Sequence, residues 1–353
     1  MILPASQAAT LALLAISLVC WGSWANTLKL AGKWRFELYY YDFAIGFCLL
    51  AAAAAFTGGS LNASELTFQD NFLITGYRNI AYVMAAGIIF NLGNMLLTAA
   101  LSLAGMALAF SVTFAAALVV STAWNLLFEV PSGMLLSLGG GGLLLAALVL
   151  AAFAYSNYLD AQAAATKNAA LQVDPRAKSA QRAPRPPGAA RAVALSVMGG
   201  IALGLFRPLL DAGREGEAGV APYGAALLFA AGILGCTAIL GPFFFNFPVA
   251  GEPLGMQHYF RGSGRQHLLG LLGGVIVGIA FLSAMLALAA PPFLRTAAMP
   301  SFALIQGGPV LAVAWGLYVW REFKTADERT RLMLQFMLIL LTAGVALLAV
   351  ARR

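Results

Sequence analysis

The sequence predicts an all-α integral membrane protein with about ten transmembrane helices, arranged as two inverted five-helix repeats. Composition is the first indication, because 61% of the 353 residues are hydrophobic and only 10% are charged. Soluble domains carry roughly a quarter charged residues, so this chain has too few to cover a water-facing surface. The other two indications are the spacing of the apolar segments and a likeness between the two halves of the chain.

Ten apolar segments are long enough to span a bilayer, since about 20 apolar residues cross about 30 Å of hydrocarbon. Between the fifth and the sixth lies segment 157–191, which is rich in Ala, Arg and Pro and has little apolar surface to bury. The predicted organisation is a first repeat over 1–156, a linker over 157–191 and a second repeat over 192–353. The predicted spans are 6–29, 38–57, 79–102, 106–127, 134–156, 192–212, 222–247, 267–290, 298–320 and 331–351.

Five spans on each side of the linker mean that two related halves would enter the membrane in opposite directions. Residues 123–126 (Ala-Trp-Asn-Leu) near the end of the fourth span resemble residues 314–317 (Ala-Trp-Gly-Leu) near the end of the ninth. Small residues also open the third and eighth spans, at 86–87 and 273–274. Inverted repeats are typical of transporters, because rocking one half against the other gives alternating access.

Basic residues are divided unevenly between the two sides of the predicted bundle. Of the 21 lysines and arginines, 15 lie on the side of the linker and six on the other side. The positive-inside rule then predicts a cytoplasmic linker and both termini outside. We expect a multi-pass protein of the cell membrane, inner or plasma. Orientation explains the net charge of +7, so no nucleic-acid partner is predicted.

Polar side chains and tryptophans inside the spans are the candidate binding residues, because polar groups in hydrocarbon normally face the bundle interior or a wet cavity. Asn91, Asn94 and Thr98 lie on one face of the third span. They predict either a hydrogen-bonding cavity wall or hydrogen bonds between helices. In the first span Trp21 and Trp24 share a face, where an indole offers a stacking surface and an N–H donor, or else an interfacial anchor.

The ninth predicted span is interrupted near its midpoint by residues 306–309 (Gln-Gly-Gly-Pro). Proline removes a backbone hydrogen bond, and irregular backbone at membrane depth is tolerated where it is buried or lines a cavity. Broken helices of this kind are typical of transporter sites. The pattern therefore predicts Gln306 as a substrate-binding residue.

Charged residues near the span ends have two readings. Asp42, and second Glu37, lie at the start of the second span, where a partly desolvated carboxyl could load and release a proton. The alternative for Asp42 is a structural carboxylate that snorkels to the interface or forms an ion pair, since Lys33 and Arg35 are near in sequence. Arg207, in the sixth span, is expected to pair with Asp211 or with a substrate oxygen.

The chain contains no P-loop, no His-Glu-x-x-His and no Gly-x-Ser-x-Gly, so an enzyme is not expected. Its three cysteines, Cys20, Cys48 and Cys236, lie in apolar segments without metal-ligand spacing. The sequence therefore predicts no cofactor and no metal.

The first half carries a more specific pattern. Residues 21–27 (WGSWANT), 34–42 (WRFELYYYD), 55–60 (AFTGGS) and 90–95 (FNLGNM) resemble the ureide permease family of the drug/metabolite transporter superfamily. The likeness covers residues 20–130, whereas the second half agrees in little beyond the number of spans and the ending at 315–322. The nucleotide-binding-like motif that plant members carry in the central loop has no counterpart in 157–191, and the short loops suggest a bacterial relative.

The resemblance implies ten helices in two inverted repeats around a central cavity, and proton-coupled uptake of ureides such as allantoin or of related nucleobases such as uracil. We therefore expect a secondary transporter whose partners are a small polar solute, the proton and the lipid bilayer. A sugar or amino-acid carrier of the same superfamily is the first alternative. A non-transporting membrane scaffold or a membrane enzyme is the alternative from another class.

Overall fold

The computed structural model describes residues 1–61, 67–128, 133–173, 188–291 and 306–351, with backbone alone at 167–173 and 188–189. Within these ranges the regular structure is helical throughout and includes no strand. The helices are α1 (Gln7–Ser23), α2 (Asn26–Leu30), α3 (Phe36–Phe56), α4 (Phe68–Ile74), α5 (Tyr77–Ala104), α6 (Met106–Phe128), α7 (Met134–Val173), α8 (Gly188–Arg214), α9 (Pro222–Asn246), α10 (Met256–Phe260), α11 (Gly264–Leu288), α12 (Gly308–Ala314), which a π-helical segment (Trp315–Val319) continues, and α13 (Glu328–Ala351).

Nine helical segments of the described ranges are long and apolar enough to cross a membrane. They are α1 together with α2, then α3, α5, α6, α7, α8, α9, α11 and α13. The chain is therefore built as an all-α, multi-pass membrane protein, as the sequence predicts. The predicted ninth span is represented by a shorter apolar helix, Gly308–Val319, and its predicted first part, 298–305, lies outside the described residues.

The helices that flank the linker are longer than predicted. Helix α7 continues to Val173 and α8 begins at Gly188, so both extend into the segment assigned to the linker. The reason is local composition, because the alanine-rich run after the fifth span consists of strong helix formers. Residues 174–187 of the predicted linker lie outside the described residues.

The bundle has two sides, which we name by what lies there. On the linker side, where α7 ends and α8 begins, Arg35 donates a hydrogen bond to the carbonyl of Glu252 at 2.7 Å. On the termini side, the Ile2 amide donates to the carbonyl of Gly58 at 2.8 Å, and the Tyr223 hydroxyl donates to the carbonyl of Ile2 at 2.9 Å. Successive spans alternate between these sides.

Close helix packing uses small residues, because lipid tails provide no hydrophobic drive for helices to associate. At Gly87 and Gly274 a Cβ atom would collide with a backbone carbonyl of the neighbouring helix. Ser17 on α1 donates its hydroxyl to the carbonyl of Ala280 on α11 at 2.8 Å. The principal packed pairs are α5 with α8 and α9, α11 with α1 and α3, α6 with α7 and α8, α12 with α1 and α6, α3 with α9, and α7 with α13.

Large aromatic side chains fill the linker-side half of the core. We call Trp24, Tyr39, Tyr40, Phe43 and Phe110 the aromatic layer, and all five side chains are fully buried. Ring centroids within it are 5.4 Å apart for Trp24 and Phe43 and 4.9 Å apart for Tyr40 and Phe43. The layer therefore forms a continuous wall across helices α3 and α6 and the α1–α2 junction.

Candidate functional site

A cavity of about 140 Å³ lies where helices from both halves of the chain meet. It is smaller than the roughly 300–1,000 Å³ of pockets for drug-sized ligands, so its size suits a small solute. Its aromatic walls are Trp21, Phe90, Phe114 and Phe206, its polar groups are Asn94, Ser121, Arg207 and Gln306, and the remaining lining residues are Ala117, Leu118, Leu203, Gly204 and Pro309. We call it the central cavity.

Trp21 reaches the central cavity because α1 and α12 approach closely at glycines. A Cβ atom on Gly22 would lie 2.6 Å from the carbonyl oxygen of Gly308, and one on Gly308 would lie 2.7 Å from the Cβ atom of Trp21. The indole packs edge to face against Phe90, with ring centroids 5.7 Å apart. Trp21, which its depth in the first span predicts as a binding residue, therefore lies at the cavity.

The polar face of α5 divides between two environments. Asn94 lines the central cavity and donates its side-chain amide to the Tyr40 hydroxyl at 3.0 Å. Asn91 is fully buried away from the cavity lining, and its amide donates to the Thr237 hydroxyl on α9 at 3.1 Å. Thr98 is also fully buried and donates its hydroxyl to the carbonyl of Asn94. Of the three predicted residues, the structure therefore brings Asn94 to the cavity, and the other two hold helices and backbone together.

Trp24 lies in the aromatic layer and not in the lining of the central cavity. Its ring packs against Phe43 and Phe110, with centroids 5.4 and 6.1 Å away. The indole N–H is buried and has no hydrogen-bond partner among the described residues. The two predicted tryptophans lie about one helical turn apart. Trp21 lines the cavity, and Trp24 belongs to the aromatic layer behind it.

The predicted break in the ninth span, residues 306–309, lies at the cavity. Gln306 and Pro309 are lining residues, and the Gln306 Oε1 atom is buried without a hydrogen-bond partner among the described residues. Arg207 lines the same cavity from α8 and donates from Nε to Asp211 Oδ2 at 3.3 Å. The predicted Arg207–Asp211 pair is therefore present, and the arginine faces the cavity as well.

Sequence reasoning missed several walls of the cavity. Phe90, Phe114 and Phe206 are apolar residues in apolar helices, where nothing distinguishes a cavity-facing phenylalanine from a lipid-facing one. Ser121 carried a weak signal, since it is a polar residue inside an apolar span.

A second opening lies on the linker side, beyond the aromatic layer. This crevice has a volume of about 470 Å³, and its lining includes Leu28, Lys29, Leu101 and Ser102. Along α5 the order is Asn94 at the cavity, then buried Thr98, then Leu101 and Ser102 at the crevice. Along α1 and α2 the order is Trp21, Trp24 and Leu28. The lining residues of the central cavity and of the crevice are therefore about two turns of helix apart, with Thr98 and Trp24 buried between them.

Asp42 lies on the linker side in contact with a histidine that sequence reasoning did not select. The carboxylate is 3% exposed, accepts a hydrogen bond from the Tyr259 hydroxyl at 2.6 Å, and lies 2.9 Å from His267 Nδ1. Burial, and then the neighbouring Asp42, raise the pKa of Tyr259. The phenol thus stays protonated and donates. Trp34 packs edge to face against the His267 ring at 5.3 Å.

Glu37 is held by a neighbouring cation. Its carboxylate is 1% exposed and accepts two hydrogen bonds from Arg35, at 2.7 and 3.2 Å. A bidentate pair of this kind fixes both side chains in one geometry. Of the two candidate coupling carboxylates, Glu37 is thus paired with an arginine, whereas Asp42 is in contact with a histidine.

Comparisons with known proteins add little to this geometry. No family model matches the sequence, and no curated protein matches it. A solved structure described as "Crystal structure of protein" is similar over 98% of this chain and 97% of that chain, with 15% sequence identity and a TM-score of 0.49. Among the described residues, no group of His, Cys, Asp and Glu could hold a metal ion. The function is therefore argued from the site itself.

Proposed function

We propose that the chain is a secondary transporter that carries a small polar solute across the membrane through the central cavity. The observation that carries the proposal is the cavity, which combines aromatic walls with a few polar groups, as small-molecule sites do. It is lined by helices of both halves of the chain and is separated by the aromatic layer from the linker-side crevice. A central cavity and a linker-side crevice divided by a buried barrier suit a carrier that exposes its site to one side at a time.

The proposal includes two inverted five-helix repeats. If each span corresponds to the one five places later, the main helix contacts are expected to occur in matching pairs. The contact between α5 and α8 then corresponds to the contact between α11 and α1. The contact between α3 and α11 corresponds to the one between α9 and α5. The contact between α6 and α8 corresponds to the one between α12 and α1. Three further contacts each join a span to its own counterpart in the other half, namely α3 with α9, α6 with α12 and α7 with α13. All of these contacts occur, which supports the repeat.

The correspondence extends to single residues at the closest backbone approaches. Four glycines have no room for a Cβ atom because a carbonyl oxygen of the neighbouring helix is in the way. A shift of 187 residues relates α5 to α11, and a shift of 186 relates α3 to α9. The approach of Gly87 to Phe229 thus corresponds to the approach of Gly274 to Phe43. In the same way, the approach of Gly232 to Met84 corresponds to the approach of Gly46 to Leu271.

The cavity chemistry supports a planar solute that carries both N–H and C=O groups, as allantoin and uracil do. Trp21 offers a ring face or edge for packing, and Gln306 Oε1, which has no partner within the described part of the chain, offers an acceptor for an N–H. Arg207 offers donors for a carbonyl oxygen. Its ion pair with Asp211 is partly exposed on both sides, with 32% and 42% of the side-chain surfaces accessible, so a solute can compete for the guanidinium.

The proposal also couples transport to protons through Asp42. The carboxylate is buried between α3 of the first half and α10 and α11 of the second, and its partner His267 is 26% exposed. A buried carboxyl with a partly exposed histidine beside it has a route by which a proton can reach it from water. Glu37 is the second candidate, and its bidentate pair with Arg35 makes it the weaker one.

Uptake into proteoliposomes tests the proposal. Radiolabelled allantoin, uracil and glucose are offered separately, with and without a pH gradient that is acid on the outside, and empty liposomes are the control. We expect allantoin or uracil to enter, and the acid-outside gradient to increase its accumulation. Entry of glucose alone would favour the sugar-carrier alternative, and entry of none of the three would count against the proposed substrate class.

A further inference from the structure

Glu322 lies directly after the π-helical segment and its carboxylate caps a different helix. Its two oxygens accept hydrogen bonds from the first two backbone amides of α6, from Met106 at 2.7 Å and from Ala107 at 2.8 Å. The same carboxylate forms an ion pair with Lys29 at the end of α2. The start of a helix has free N–H groups and a partial positive charge, so a carboxylate is stabilised there. One side chain thus joins the first, fourth and ninth spans.

The surrounding backbone is shaped to admit this carboxylate. Gly105, with φ +83°, forms the turn between α5 and α6, and a Cβ atom there would lie 2.7 Å from the Glu322 carboxyl group. A Cβ atom on Gly316 would lie 2.8 Å from Oε2 of the same residue. Arg321 has a φ of +49°, which is uncommon for a residue with a side chain. Both glycines therefore leave space that Glu322 occupies.

Two tryptophan contacts join the ninth span to the first, both on the cavity side of Glu322. Trp320 donates its indole N–H to Asn26 Oδ1 at 2.7 Å, and Trp315 donates to the Ser23 hydroxyl at 3.2 Å. The ninth span is therefore attached to the α1–α2 segment from Ser23 to Lys29. We call these contacts, with Glu322 at their end, the linker-side clamp.

The clamp holds the first span, which contributes Trp21 to the central cavity and Lys29 to the linker-side crevice. The three spans that it joins are the spans that carry Trp21, Phe114 and Pro309 of the cavity lining. Lys29 also lines the linker-side crevice. Trp21 of the cavity, Trp24 of the aromatic layer and Lys29 of the crevice all belong to the first span. A movement of the first span would therefore connect the cavity with the crevice, and Glu322 holds this span to the ninth span and to the start of α6.

We propose that Glu322 is the linker-side gating residue of the transport cycle, and that its release from Lys29 and α6 opens the central cavity toward the linker side. This inference rests on the proposed function. The Glu322 side chain is 9% exposed and its partner Lys29 is 25% exposed, so water from the crevice can replace the ion pair when the gate opens. A residue with only a capping role would stabilise the fold without changing which side of the cavity is accessible.

Cysteine accessibility measures the gate directly. In a background without Cys20, Cys48 and Cys236, the reporter is Thr98→Cys, which is buried between the cavity and the crevice. A charged methanethiosulfonate reagent is added to purified protein, and the modification rate is followed. We expect Glu322→Gln to raise this rate about tenfold, which corresponds to about 1.4 kcal/mol in the opening equilibrium. Lys29→Met, which keeps the helix cap, should raise it less.

The matched control is Glu328→Gln, an exposed acid on the same side of the bundle, which should leave the rate unchanged. Melting temperatures are recorded for every variant. An unchanged Thr98→Cys rate in Glu322→Gln, whether its melting temperature is kept or lowered, would overturn the proposal. If Glu322→Gln does not fold, Lys29→Met decides by the same criterion. The labelling needs no solute, so failure of the wild-type protein to transport would count against the proposed function separately from the gate.

Discussion

Asn91 and Asn94 lie one turn apart on α5 and are expected to respond differently to the same change. Asn94→Ala removes a polar group from the central cavity together with its hydrogen bond to Tyr40. We expect the KM for the solute to rise about tenfold, since the loss of one hydrogen bond is worth about 1 kcal/mol or slightly more. Initial uptake rates over a range of solute concentrations in proteoliposomes measure this. Thr342→Ala, at an exposed position on α13, is the control.

Asn91→Ala should instead destabilise the fold. It removes two hydrogen bonds with the buried Thr237 hydroxyl, at 3.1 and 3.3 Å, whereas Asn94→Ala removes one beside the cavity. An unsatisfied buried group costs about 1–3 kcal/mol. Thermal unfolding in detergent should show a lower melting temperature for Asn91→Ala than for Asn94→Ala. The division of roles would be wrong if Asn91→Ala raised KM and left the melting temperature unchanged.

The proton-coupling hypothesis is decided at Asp42. Asp42→Asn keeps the size of the side chain but cannot carry a proton as a carboxyl does, so we expect it to abolish accumulation driven by a pH gradient. Exchange of labelled for unlabelled solute needs no net proton movement and should continue. Glu37→Gln is the matched control, because Glu37 is already held by Arg35. Gradient-driven uptake that survives in both variants would place coupling elsewhere or identify a uniporter.

The sequence predicts the conspicuous residues of the site and not their partners. Trp21, Asn94 and Gln306 stand out because polar or amphipathic groups are unusual in an apolar span, and all three lie at the central cavity. The contacts of Asp42 with His267 and of Lys29 with Glu322 join residues more than 200 positions apart. A single sequence carries no signal for such pairs, because neither residue alone indicates which distant helix it will face.

At the scale of helices, the bounds follow from apolar length where a span is uniform and fail where composition is mixed. The predicted fourth span, 106–127, agrees closely with α6 at Met106–Phe128. Helix α7 continues to Val173 beyond its predicted end at 156, because alanine-rich sequence stays helical after it leaves the predicted apolar segment. The inverted repeat stays a prediction that the matching helix contacts support.

Gly87 and Gly274, which the proposed repeat would make equivalent, test the repeat at the level of helix packing. Gly87→Ala and Gly274→Ala each force a methyl group against a backbone carbonyl, of Phe229 and Phe43 respectively. Backbone does not move aside cheaply, so we expect each variant to lose about 1–3 kcal/mol of stability. Melting temperatures of purified variants measure the loss, with Gly235→Ala as the control, because a Cβ atom there meets nothing within 4 Å. Two losses of very different size would count against equivalent packing in the two halves.

The whole bundle carries an asymmetric charge distribution that sets its expected orientation. Within the described residues, Lys29, Lys33 and Arg35 line the crevice on the linker side. The loop and helix starts around Arg261 and Arg331 add further cations on that side. The described part of the termini side carries Arg78, Arg207 and Arg214, and Arg207 is paired with an acid. Lys and Arg are retained in the cytoplasm during insertion, so the linker side should face the cytoplasm.

Labelling from one side of the membrane tests this orientation. In a background without the three native cysteines, Ser179→Cys marks the linker and an added C-terminal cysteine marks the termini side. We expect an impermeant thiol reagent to label the C-terminal cysteine in intact cells and to label position 179 only after the cells are permeabilised. Permeabilised cells also provide the control that both cysteines are reactive. Labelling of position 179 in intact cells would reverse the orientation, and the linker-side clamp would then gate the outer face of the membrane instead of the inner one.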